Sequence, residues 1–103
     1  MKVMNCYLTI VCHNSLEERL LDHLLEHPEW VYGFSISHIE GGSQKEILRS
    51  MIEQVRGRSQ RIKIQTVMNL DDAHELIQHL KNKEANPDVA YWITPVIEFG
   101  RLG

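Results

Sequence analysis

Four alternating apolar stretches and two leucine-rich helical stretches predict an α+β fold of the ferredoxin-like βαββαβ order, with a four-stranded antiparallel sheet. A third helical stretch between the second and third strands predicts a helical excursion there. With 103 residues, the chain is read as a single domain, 1–103. An apolar fraction of 43% and a charged fraction of 24% suit a globular domain.

The first strand is "NCYLTIVCH", residues 5–13. Leu8, Ile10 and Cys12 alternate with Tyr7, Thr9 and Val11, so both faces are apolar enough to be covered. "NSLEERLLDHLLEH" follows as a helix. Ser15 and Glu18 have the spacing of a capping box, Leu16, Leu20, Leu21, Leu24 and Leu25 form its stripe, and Pro28 ends it. "VYGFSISHIE", residues 31–40, is the second strand, broken by Gly41-Gly42.

Residues 43–56 carry a second capping-box pair, Ser43 and Glu46, and a stripe of Ile47, Leu48, Met51, Ile52 and Val55. That stripe reads as a helix packing on the assembly, with partner docking the other reading. "RIKIQTVM", residues 61–68, is the third strand, with Ile62, Ile64 and Met68 on one face. "NLDDAHELIQHLKNK" is the next helix, opened by Asn69 or Asp71 and closed by Lys81 and Lys83, whose charges suit its dipole. "VAYWITPVIEF", residues 89–99, is the last strand, and Pro95 marks an edge or a bend.

Two helices cover one face of a four-stranded sheet. The other face then carries Tyr7, Thr9, Val11, Ile39, Val67, Ala90 and Trp92. It is too apolar to stay wet and is expected to be buried between subunits.

The net charge of −3 does not favour nucleic acid, and no apolar run approaches the roughly 20 residues of a membrane span. "MKVMNCYLTIVCHN" lacks a small-residue cleavage site and is read as mature protein. Cys6 and Cys12, on one strand, lie too far apart to bridge, so reduced thiols and a cytoplasmic location are expected.

Six of the eleven Lys and Arg residues fall between positions 45 and 63. "EQVRGRSQR" places Arg56, Arg58 and Arg61 together. Guanidinium forks there suit phosphate or carboxylate groups, although pairing with nearby acids is the plainer reading. Among metal ligands, His23 and His27 have the i, i+4 spacing of a helical chelate. Cys12, His13 and His38 are the first candidates for a metal site, against a background in which solvated or hydrogen-bonded histidines are commoner. His38 and Glu40 point the same way on one strand, a weak acid–base pair. No nucleophile motif accompanies them, and enzyme activity is not expected.

Several of these stretches also carry a family resemblance. "GFSISHIEGGS" resembles the second strand of PII signalling proteins running into their T-loop. "EQVRGRSQRIKIQTVM" and "YWITPV" resemble a small PII-like bacterial family whose genes often sit beside heavy-metal efflux pumps. The resemblance covers nearly the whole chain. It implies a non-catalytic regulatory homotrimer with sheets inward, ligand clefts between subunits, and a partner protein such as a membrane transporter. The copper-tolerance CutA family shares the trimer and supplies the alternative, a metal-binding protein. PII proteins hold nucleotide phosphates on a glycine-rich loop before the fourth strand. Here that connection, "KNKEANPDVAYW", has no glycine, and the excursion has no tyrosine for uridylylation. The PII mode of ATP and 2-oxoglutarate sensing is therefore not expected. The residues implied for an anionic ligand are Gly41, Gly42, Arg56, Arg58 and Arg101, and a divalent metal is the other cofactor reading.

Overall fold

The computed structural model describes residues 2–40 and 60–103. The expected helix over 43–56, with Ser43, Glu46 and its apolar stripe, lies outside the described residues. Among the described residues, the strands and α-helices are, in order, β1 (Cys6–His13), α1 (Glu17–Leu25), β2 (Ser35–Glu40), β3 (Gln60–Met68), α2 (Leu70–Lys83) and β4 (Ala90–Pro95). The strands form one sheet in the order β2-β3-β1-β4 with every neighbouring pair antiparallel. Each βαβ unit therefore straddles a strand of the other. This is the ferredoxin-like α+β arrangement that the element order predicted.

The period-two pattern fixes which side chains face the helices. Leu8, Ile10 and Cys12 of β1 and Ile62, Ile64 and Met68 of β3 are all 2% exposed or less. Leu20 and Leu24 from α1 and Ala73, Leu76, Ile77 and Leu80 from α2 complete the same core. Removing this much apolar surface from water is what holds both helices on one face of the sheet.

Several boundaries differ from the sequence expectation. The Ser15–Glu18 capping box does not form. Residues Asn14–Leu16 make a single 3₁₀ turn instead, and His13 Nδ1 accepts from the Ser15 amide. The imidazole at the strand end thus takes the Ser15 amide that the Glu18 side chain would accept in a capping box. α1 stops at Leu25, three residues before Pro28, because proline disfavours helical backbone before it. β2 starts at Ser35 because the Trp30 and Val31 amides both turn back to the His27 carbonyl. β4 ends at Pro95, on the edge of the sheet.

α2 is capped as the sequence suggests. Asn69 Oδ1 accepts from the Asp71 amide at 3.0 Å and the Asp72 amide at 3.4 Å, while Asn69 Nδ2 donates to the Val3 carbonyl. Asn5 Oδ1 takes the Leu70 amide. Replacing Asn69 with alanine is expected to cost about 1 kcal/mol of stability, measured by urea unfolding against the parent chain. An unchanged midpoint would show that Asn5 alone organises this helix start.

Candidate functional site

The second sheet face carries a cleft of about 640 Å³ at the Cys6–Met68 end of the sheet. Tyr7 of β1 is paired with Val67 of β3, and both project onto this face. Tyr32 and Phe34 reach the cleft from the approach to β2. The hydroxyl of Thr66 donates to the Gly33 carbonyl and pins that approach against β3. The C-terminal tail brings Phe99 and Arg101 onto the same opening. The Val96 amide donates to the Asn5 carbonyl at 3.1 Å, which sets the direction of the tail.

Four of the chain's seven aromatic residues therefore line one cleft, with a guanidinium at its rim. Tyr32 is 56% and Phe99 44% exposed, so these rings are open to a ligand. Such a surface suits a planar group lying on the aromatics with an anionic group near Arg101.

Of the residues expected to bind an anion, Arg101 lines this cleft, and Gly41, Gly42, Arg56 and Arg58 lie outside the described residues. The aromatic lining was not anticipated. Its signal was the isolated aromatics beside glycine or tail residues, in "VYGF" and "EFGR", but only the fold brings them together.

The three metal candidates do not converge on a single point. Cys12 is fully buried on the helix-facing side, and burial pushes its thiol up to about 11, which leaves it protonated at neutral pH. His13 lies on the opposite face and holds Ser15 through its backbone amide and its hydroxyl. His38 is on the helix-facing side at β2 and reaches Glu17 at 3.3 Å, not Glu40. Among the described residues, no group of three or more His, Cys, Asp or Glu side chains is arranged to hold a metal ion.

His23 and His27 do not form a helical chelate either, because α1 ends before His27. Their rings meet α2 at His79 instead. His79 Nε2 is 3.3 Å from His23 Nδ1, and the His27 and His79 ring centroids are 4.5 Å apart. His23 Nε2 lies 3.1 Å from Glu84 Oε1, and Arg19 pairs with Glu84 Oε2 at 2.7 Å. His27 Nδ1 lies 2.6 Å from Glu29, and its ring stacks on Trp30. The hydrogen bond from His23 holds the Glu84 carboxyl below its usual range, and that from His27 does the same for Glu29. Desolvation, then the nearby His27 and His23, lower the pKa of His79. No sequence spacing links His79 to His23, so this cluster is visible only in the fold.

The βαββαβ sheet with its helices on one face is a fold this chain shares with solved PII-like proteins. A family profile described as "Protein of unknown function (DUF3240)" matches residues 3–103, and the chain belongs to that family. Its fold is similar to a DUF3240 family protein from Shewanella baltica OS155, at 22% identity over 99% of this chain and 100% of that one, with a TM-score of 0.76. It is also similar to CPII, a nitrogen regulatory PII-like protein from Thiomonas intermedia K12 bound to ADP, AMP and bicarbonate. That match has 17% identity over 94% and 93% of the two chains and a TM-score of 0.69. A Thermus thermophilus protein of the PII-like signalling type matches at 19% identity over 89% and 85%, with a TM-score of 0.64. No curated protein matches the chain. Among the described residues, no helix is long and apolar enough to cross a membrane.

Proposed function

We propose that this protein is a non-catalytic PII-like regulator that assembles as a homotrimer and senses a small anionic ligand in the aromatic cleft. The observation that carries the reading is the cleft itself, with Tyr7, Tyr32, Phe34 and Phe99 around Arg101. Flat aromatic walls take a base or another planar group, and the guanidinium takes a phosphate or carboxylate. CPII, with the same fold, is bound to ADP, AMP and bicarbonate, which makes adenine nucleotides and bicarbonate the first ligands to try. The trimer is supported by the rest of the second sheet face, where Trp92 is 47% exposed, Ala90 is exposed, and Val11 and Ile39 are only half-buried. Burying such a face between copies removes an apolar patch from water. A cytoplasmic location and a partner protein that reads the liganded state belong to the same proposal.

The test is a thermal-shift and calorimetric panel of ADP, AMP, ATP and bicarbonate. At least one is expected to raise the melting temperature. Arg101→Ala should weaken its binding about tenfold, or about 1.4 kcal/mol, because a charge-assisted contact is lost. Absence of binding by every member of the panel, or equal binding by the Arg101→Ala chain, would refute the cleft as the ligand site.

A further inference from the structure

We infer that His23 and His79 form a binding site for a borderline transition-metal cation such as Zn²⁺. This inference is independent of the nucleotide cleft, which lies on the opposite face of the sheet. His23 Nδ1 and His79 Nε2 face each other at 3.3 Å. That separation is long for a hydrogen bond. It matches the edge between two nitrogen ligands held at about 2.0–2.1 Å in a tetrahedral shell, which is about 3.3–3.4 Å.

The surroundings prepare the nitrogens for this role. Glu84 is gripped by Arg19 through one oxygen and accepts from His23 Nε2 through the other. A proton on Nε2 leaves the lone pair of a neutral His23 on Nδ1, aimed at His79. A carboxylate on the far nitrogen is the partner that orients metal-ligating imidazoles in known sites. His27 repeats the pattern, with Nδ1 on Glu29 and its ring against His79. The His23 and His27 side chains are only 17% and 22% exposed, so both are desolvated and held, yet still reachable from water.

Without metal, His79 Nε2–H donates weakly to His23 Nδ1. Metal binding takes both lone pairs, and the displaced proton moves to His79 Nδ1, so the imidazole remains neutral and no co-reactant is required. Two protein nitrogens form the site, water fills the remaining positions, and His27 stands beside it as a third imidazole.

The experiment titrates the full chain with Zn²⁺ alone, in a non-coordinating buffer. Calorimetry is followed in parallel with imidazole nitrogen resonances. One ion per chain is expected, with His23 Nδ1 and His79 Nε2 shifting while the His13, His38 and His74 resonances stay in place. His23→Gln and His79→Gln should each weaken binding by at least about tenfold, and Glu84→Ala, which removes only the positioning carboxylate, by about tenfold. The inference is overturned by absence of heat and shifts up to about millimolar Zn²⁺. It is also overturned by shifts confined to other histidines, or by full affinity in a His23→Gln, His79→Gln chain that melts like the parent. If that double variant does not fold, the resonances of the unmodified chain still decide the matter. Zinc binding without any nucleotide effect, or the reverse, separates this inference from the proposed function.

Discussion

Leu76→Ala is expected to cost about 2–5 kcal/mol of folding stability, a large share of the roughly 5–15 kcal/mol that holds a typical domain. Leu76 is fully buried on the helix face that meets the sheet, within the cluster that also holds Leu8, Ile10, Ile62 and Ile64. Alanine would remove the side chain's transfer energy and leave a cavity between two rigid layers that close only partly around it. The control is Leu25→Ala at the exposed end of α1, where Leu25 is 65% exposed and the change should stay within about 0.5 kcal/mol. Urea unfolding of all three chains at one protein concentration measures both effects, because an assembling protein's stability depends on concentration. Equal midpoints for the Leu76 and Leu25 variants would mean that α2 is not held by this core.

Trp92→Asp is expected to convert the proposed trimer to single chains. Trp92 is opposite Thr9 in the register and projects from the face away from the helices, on the edge strand β4 beside Tyr7, Thr9 and Val11 of β1. Thr9 beneath it is already 1% exposed, and Gln65 Nε2 donates to its hydroxyl at 3.4 Å, so the strand backbone there is tightly covered. An aspartate at position 92 would bring a charge into each subunit contact with no partner, a cost of several kcal/mol per copy. Light scattering should show a trimer's mass for the parent chain and one chain's mass for the variant, with circular dichroism unchanged. A parent chain that is already monomeric overturns the proposed trimer. A variant that remains trimeric shows that the copies meet elsewhere.

The order and type of the described elements were legible in the sequence because each rests on local periodicity. The alternation in "CYLTIVCH" and "RIKIQTVM" groups Leu8, Ile10 and Cys12, and Ile62 and Ile64, each on one face, and Asn69 and Asp71 marked the start of α2, of which the structure selects Asn69 as the cap. Boundaries were less legible. A capping box at Ser15 and a longer α1 were both consistent with local spacing, but His13 and the turn at His27 decided otherwise through contacts that spacing does not encode.

The candidate sites divide along the same line. Arg101 was implied by the family resemblance and is among the residues lining the cleft, whereas Tyr7, Tyr32, Phe34 and Phe99 are scattered along nearly the whole chain and meet only because β1, the β2 approach and the tail share one sheet face. Likewise, the helical spacing of His23 and His27 singled out two histidines of the cluster but not its geometry, since His79, which faces them, lies 56 residues from His23 on the other helix. By itself, then, the sequence determined the α+β order, which residues of each strand share a face, and the region where α2 starts, all of which follow from side-chain period and local hydrogen bonding. Only the tertiary structure decided which aromatics share a cleft and which imidazoles face one another, because those pairings depend on strand register and helix packing between residues far apart in the chain.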